Sequence, residues 1–452
     1  MDGAERPSSF PSADELANGR APAATAIAFK SFWWDAAPPS SEVASMPSEV
    51  DVAIVGSGYT GLSAALTLAR RGRGCVVLDR GAPGAGASTR NGGQIGSGNQ
   101  KVSAGALAAA GSGGAALELL REGQRMFDHL AQFVASEAID CHFRRCGRFR
   151  GAMRPSHYER LARTMEDLNK TVGLESFMVP RAEQHSEIGS DVFHGGVVIP
   201  NDASLHPGLY HAGLLARARQ AGAAIIGNTE VRAIDRDGPG FRLSTSAGEI
   251  KCDDVIVATD GHTGSLSSHL RRRIVPIVSS QIATGEIPEA AFAGLIPKDR
   301  VYGNTDRVFS YFRSAPGERR LIFGGRGARF GADDSTSSYS HLARSMLCLF
   351  PALKDVPITH AWSGLIGQTY DGAPHIGRTA DGVHFALGYC GNAGVARGTY
   401  FGRKIALKVL GDPDGRTAYD DLAFQNFPAQ PIATRMVPVV EAWMSLRDRY
   451  NF

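Results

Sequence analysis

DVAIVGSGYTGLSAALTLARRGRGCVVLD, Asp51 to Asp79, is the stretch whose reading decides the fold. The apolar, β-branched run Val52–Val55 predicts a buried parallel strand. Gly56-Ser57-Gly58-Tyr59-Thr60-Gly61 follows in the pattern G-x-G-x-x-G. Leu62, Ala65, Leu66 and Ala69 then recur at helical spacing, and Cys75–Leu78 reads as a second strand. Asp79 closes the unit 23 residues after Gly56, near the offset at which an acid reaches the ribose of a dinucleotide. Here Gly56 allows the tight turn, Gly58 bares the backbone to a pyrophosphate, and Gly61 lets helix pack closely on strand. The N–H groups of the first helical turn, Tyr59 and Thr60 among them, favour an anion. A 2′-phosphate would meet the Asp79 charge, although Arg80 softens that repulsion. The glycines alone fit any glycine-rich turn. Strand, helix, second strand and acid in register point to dinucleotide binding.

With 452 residues the chain is long enough for two domains, and 43% hydrophobic with 21% charged residues fits an ordinary soluble protein. A net charge of +3 is too mild to imply a nucleic-acid or acidic-membrane partner. No run of 18 apolar residues suggests a transmembrane helix. The start of the chain, with Asp2 and Glu5, does not read as a signal peptide, and residues 1–27 read as a disordered tail. Phe32-Trp33-Trp34 should dock on the body. Six cysteines without a C-x-x-C argue against disulfides and against a metal site, and so for a reducing cytoplasm. The mild charge fits a monomer or dimer.

Two more α/β segments follow the first. In one, His206–Gly222 reads as a helix, Ala224–Gly227 and Glu230–Asp235 as strands, and Phe241–Ser246 with Glu249–Cys252 as a hairpin. Val255–Gly261 reads as a separate buried strand. In the other, Val383–Leu387 is a strand, Gly388–Gly394 a glycine turn and Val395–Leu410 a helix. Between them, residues 115–187 read as mostly helical, with amphipathic stretches at Ala116–Ala135 and His157–Lys170. Arg273–Ile282, Arg307–Arg313 and Arg320–Gly327 alternate like antiparallel strands. The fold class expected is α/β: a discontinuous Rossmann-type domain (28–110, 190–270 and 356–430) with an interleaved mixed-sheet-plus-helix domain (111–189 and 271–355). Residues 431–452 read as a closing helix.

The stretch Gly84-Ala85-Gly86-Ala87-Ser88-Thr89-Arg90-Asn91-Gly92-Gly93-Gln94 is rich in small residues. It suits either a flat ligand on bare backbone or a flexible surface loop. Taken in order, GSGYTGL, GAGASTRNGGQIGSG, VIVATDGHTG, YFR with LIFGGRG, WSGLIGQTYDGAPHIG and GYCGNAGV resemble the FAD-dependent amine and amino-acid oxidase family over about residues 28 to 412. The pattern is most similar to γ-glutamylputrescine oxidase-like and L-pipecolate oxidase-like members. The resemblance implies non-covalent FAD. Gly56, Gly58, Thr60 and Gly61 would face the pyrophosphate, and Asp79 with Arg80 the ribose. Ser88, Thr89, Arg90, Asn91, Gly92, Gly93 and Gln94 would follow the ribityl chain and ring. Val231, Thr259 and Gly261 would close the adenine end, and Gly391, Asn392, Gly394 and Val395 the pyrimidine edge, where oriented N–H donors favour reduction.

Three departures from the family pattern stand out. GYCGNAGV has an extra small residue and no histidine. No cysteine lies near Gly364, where covalent relatives attach FAD. Thr369-Tyr370-Asp371-Gly372 differs from the commoner sequence, so the substrate is expected to differ too. The implied reaction passes hydride from the carbon beside an amine nitrogen to flavin N5, giving an imine that hydrolyses; O2 is reduced to H2O2, or a quinone or carrier protein takes the electrons. A non-catalytic FAD-binding homologue is a third reading. A substrate carboxylate would need a fixed cation or a hydroxyl. Tyr311, Arg313 and Arg326 are the candidates, with Asn91 and Tyr370 near the reacting end. Each has a structural alternative: core packing for Tyr311, solvent for Arg313, a carboxylate of the chain itself for Arg326. Trp362 reads as pocket wall or core, His375 as a buried, satisfied histidine, and Cys390 as packing near the flavin edge.

Overall fold

The structure is a computed structural model that describes residues 11–18, 27–42, 45–97, 113–327, 335–391 and 394–450. Two eight-stranded sheets, and a two-stranded one of Gln94–Ile95 with Ala203–Ser204, are formed by the described residues. The first runs in the order His375–Arg378, His384–Leu387, Gly248–Val257, Glu49–Val55, Cys75–Leu78, Ala224–Ile226, and the hairpin Val231–Asp237 and Gly240–Thr245 extends it from Gly248–Val257. Its central pairings are parallel, with Ile54 opposite both Val77 and Ile256, and Val77 opposite Ile225. The run Val52–Val55 divides by the two-residue period of a strand. Val52 and Ile54 enter one core with Leu62, Ala65 and Leu66 of the helix Tyr59–Arg70. Ala53 and Val55 enter another with Val76, Leu78, Val255 and Phe241. Burial on both faces, at about 1.5–3 kcal/mol for each large side chain, is why this strand needs an unbroken apolar run.

The second sheet runs Ile358–Gln368, Val275–Thr284, Leu321–Arg326, Tyr311–Ser314, Val301–Asn304, Arg148–Gly151, Gly196–Ile199, Phe177–Val179. Its pairings are antiparallel except Val301–Asn304 on Arg148–Gly151. One face packs Ile282, Phe312, Phe323 and Tyr302 under the helix Ser340–Leu349, with stacked rings 5.3 Å apart for Tyr302–Phe312 and 5.5 Å for Phe312–Phe323. The alternation then turns Ser279, Gln281, Tyr311 and Arg326 to the other face. None of the helices in the described residues is long and apolar enough to cross a membrane.

Several expectations change. Glu249–Cys252 and Val255–Gly261 are not two strands; Gly248–Val257 is continuous, and Asp254 within it lies 3.7 Å from His384 Nε2. The region 115–187 holds the helices Gly113–Ser136 and Pro155–Val172 but also two strands of the second sheet. Gly196–Ile199 and Ile358–Gln368 also belong to that sheet, although both fall in ranges assigned from the sequence to the first domain. Within the expected tail, residues 11–18 are ordered. Ser12 and Glu15 close a capping box on the helix Ala13–Ala17, and Ala13 and Leu16 are buried beside Leu342 and Met346. The expected closing helix spans Gln430–Tyr450.

Candidate active site and cofactor cleft

A cleft of about 780 Å³ runs between the two sheets. One end is walled by Glu230, Val231, Arg232 and His262, the other by Phe309, Tyr311, Gly325 and Arg326. The glycine turn forms the middle of its floor. Gly56 sits at φ +105°, and a Cβ there would come 2.8 Å from the Ala258 carbonyl oxygen. Gly58 directly precedes the helix Tyr59–Arg70; a Cβ on it would meet Ser88 Oγ at 2.8 Å. Gly61 does not line the cleft. It gives the close helix–strand contact instead, since its Cβ would fall 1.8 Å from the Gly56 carbonyl oxygen.

Asp79 lines the cleft and braces the turn: Oδ2 accepts from Ser57 N at 2.8 Å and from Ser57 Oγ at 2.6 Å, and Oδ1 from Gly81 N at 3.0 Å. Arg80 donates to His262 Nδ1 at 2.8 Å. Burial, then the Arg80 charge, lowers the His262 pKa to about 4, so its ring is neutral.

The second loop is held from behind. Trp33 Nε1 donates to Asn91 O and Trp34 Nε1 to Thr89 Oγ1, each at 2.8 Å. The expected docking of Phe32-Trp33-Trp34 is thus also what shapes the loop. Arg90 lies 4.4 Å over the Trp34 ring and donates to Ala85 O and Ser363 O. Its carbonyl accepts from Trp362 Nε1 at 2.9 Å and from Gln281 Nε2. Ser88, Arg90, Asn91, Gly92 and Gln94 line the cleft. Thr89 and Gly93 do not. Thr89 is buried with its hydroxyl on Gly84 O, and Gly93 turns its carbonyl to Arg313 at 3.1 Å. The Asn91 amide also serves the loop, donating to Ser88 O at 2.7 Å and accepting from Gly93 N at 2.9 Å, so it is a shaping group rather than a reacting one.

Tyr59, Thr60, Val231, Thr259, Gly391, Gly394 and Val395 line the cleft. Gly261 does not: a Cβ there would meet the Ile366 backbone at 2.9 Å. Asn392 lies outside the described residues. Tyr370 is 56% exposed and packs on Phe427, away from the cleft, because the Thr369–Gly372 turn projects outward. Arg313 is neither solvated nor in the cleft; its guanidinium donates to Gly93, Leu205 and Ser314 carbonyls. Trp362 is core, and His375 is buried against Asp371 and Phe424 as expected. Cys390 lines the cleft.

Two contributors escape a sequence reading. Asp260 accepts from the backbone N–H groups of Gly367 and Gly388, each at 2.8 Å, and of Tyr389 at 3.3 Å, tying three distant segments of the cleft wall together. Desolvation pushes its carboxyl above the usual range while these donors pull it back. Gln281 is 1% exposed and lines the cleft, yet its Oε1 has no partner among the described residues. Its Nε2 is fixed on Arg90 O, so the oxygen is the free end. Beside it Tyr311 shares a hydrogen bond with Ser279 Oγ at 2.9 Å, and burial raises its pKa to about 12, which keeps it a neutral hydroxyl. A bare-backbone cradle that a Cβ would fill, an acid at the ribose end and an unpartnered buried acceptor all fit a dinucleotide with a ring system toward Tyr311.

Comparison with known proteins agrees with this geometry. The chain is 33% identical over 443 residues to a probable oxidoreductase, OrdL, of Rhizobium meliloti, covering 92% of this chain and 97% of that one. It is 29% identical to the gamma-glutamylputrescine oxidoreductase of Escherichia coli, covering 88% and 93%. Its fold matches the crystal structure of glycine oxidase from Geobacillus kaustophilus with a TM-score of 0.71 at 21% identity, covering 84% and 99%. The family model described as FAD dependent oxidoreductase (DAO) matches residues 51–407, and the chain belongs to that family.

Proposed function

We propose that this FAD-dependent oxidoreductase of amines or amino acids oxidises a C–N bond to an imine, which water then hydrolyses, with O2 as the acceptor and H2O2 as its product. One observation carries the reading. The cleft runs unbroken from the glycine turn at Gly56 to the polar sheet face of Ser279, Gln281, Tyr311 and Arg326, so a single cavity joins a dinucleotide cradle to a polar chamber. The names of two relatives, gamma-glutamylputrescine oxidoreductase and glycine oxidase, support an amine or amino-acid substrate.

When bound, FAD supplies the two-electron oxidation. Gly56, Gly58 and the N-terminus of the helix Tyr59–Arg70 would hold its pyrophosphate, Asp79 its ribose, and Gly391, Gly394 and Val395 its ring edge. The strand Ile358–Gln368 offers no cysteine, which favours non-covalent binding. Arg326 binds a carboxylate, and Tyr311, its hydroxyl paired with Ser279 Oγ, walls the chamber beside it and orients the amine.

Hydrogen bonds to charged groups contribute about 1.5–3 kcal/mol, or roughly 10–100-fold. Peroxide release under air should therefore show Arg326→Ala raising KM by about that factor for an amine bearing a carboxylate, with little change for a neutral amine. Equal effects on both substrates would remove Arg326 from the substrate chamber.

A further inference from the structure

The helix Gln430–Tyr450 is fastened along the rim of the substrate end of the cleft. Gln430 Nε2 donates to Ile274 O at 3.1 Å near its start. Asp448 accepts from Arg307 Nη1 and Val308 N, both at 3.0 Å, beside the cleft-lining Phe309. Between these anchors Glu441 Oε1 lies 3.7 Å from Arg326 Nε. The two side chains are mostly buried, at 19% and 22% exposure. Their separation is an ion pair without a hydrogen bond, so the guanidinium fork is neutralised but not geometrically saturated. Burial raises the Glu441 pKa and the Arg326 charge opposes the rise.

We propose that Glu441 is a specificity-determining residue, a carboxylate of the chain itself that competes with a substrate carboxylate for Arg326. The inference rests on the reading of this chamber as the amine or amino-acid site. A ligand whose carboxylate reaches Arg326 must share or displace Glu441, whereas an amine without one meets a neutral pair. Glu441 thus shifts preference toward amines that carry no carboxylate at that end. It acts through Arg326, so it is a positioning residue.

The test uses flavin-loaded protein, titrated with benzoate as the carboxylate probe and benzamide as its uncharged counterpart, read by the shift of the flavin visible band. The expected result is that Glu441→Gln binds benzoate about tenfold more tightly than the wild type, that Arg326→Ala loses benzoate binding, and that benzamide responds alike in all three. Glu441→Asp, which keeps the charge but withdraws it by one methylene, gives a smaller gain and serves if the Gln variant fails to fold. Unchanged or weaker benzoate binding in both Glu441 variants would overturn the proposal. So would a lack of benzoate response in every variant; turnover of a neutral amine in that case would leave the amine-oxidation reading standing.

Discussion

Gly58→Val gives a folded protein that purifies without flavin. Gly58 has φ −72° and ψ −176°, an extended conformation open to any residue, so the substitution strains no backbone. Its Cβ would already meet Ser88 Oγ at 2.8 Å, and the two further methyl groups project into the cleft that Gly58 lines. Gly56 and Gly61 differ. A side chain at either collides with backbone, at 2.8 Å from Ala258 O and 1.8 Å from Gly56 O, and breaks the fold before it reaches a ligand. Gly58 is therefore the position that separates cofactor binding from folding. Retention should fall by more than about 100-fold, or about 2.8 kcal/mol at 1.4 kcal/mol per tenfold. The melting temperature should fall with it, to that of wild-type protein stripped of FAD, because a ligand bound only to the native state stabilises by mass action. The flavin-to-protein absorbance ratio and far-UV circular dichroism report both parts. A full flavin complement in the variant would contradict the assignment.

Asp202→Ala should cost about 3–5 kcal/mol of stability although it lies outside the cleft. Arg148 and Asp202 form an ion pair with side chains 2% and 0% exposed. Asp202 also accepts from Ser97 N at 2.8 Å and Ser97 Oγ at 2.7 Å, while Arg148 Nη1 donates to Gln94 Oε1 at 2.7 Å. Removing the carboxylate leaves the buried Arg148 guanidinium without its counter-charge, and its Nη2 already lacks a partner among the described residues. Gln94 ends the cleft-lining loop, so flavin content should drop as well. Urea unfolding measures the first effect. The double change Arg148→Met with Asp202→Leu should recover most of the loss, since the penalty lies in the unpaired charge rather than in the missing pair. A cost under about 1 kcal/mol, the size of a surface pair, would show that this pair is not what fastens the loop.

Where periodicity is local, the sequence was informative. Val52–Val55, the helix after Gly58 and Cys75–Leu78 read correctly because each buries its whole apolar pattern within about 30 residues, the size of one βαβ unit. The second loop was legible as a surface of small residues, but its phase was not. Thr89 and Gly93 face away from the cleft because Trp34 and Arg313, distant in sequence, pull on them. Ile358–Gln368 escaped notice because one face packs Ala361 beside Ile282, while the other passes from Trp362, clustered with Phe32 and Trp33, to Gly364 and Ile366 at the cleft, which erases a simple alternation. Asp260 read only as the end of the strand Val255–Gly261, since its partners are backbone N–H groups more than 100 residues away. Arg326 carried two alternatives and the structure joins them: it lines the cleft and pairs with Glu441.

The most direct test of the account is the visible absorption spectrum of the purified protein, followed without oxygen as amines and amino acids are added one at a time. The account predicts flavin bands that bleach with an amine or amino acid, and that return with peroxide when air is admitted. Flavin bands that no amine or amino acid bleaches would contradict the proposed reaction.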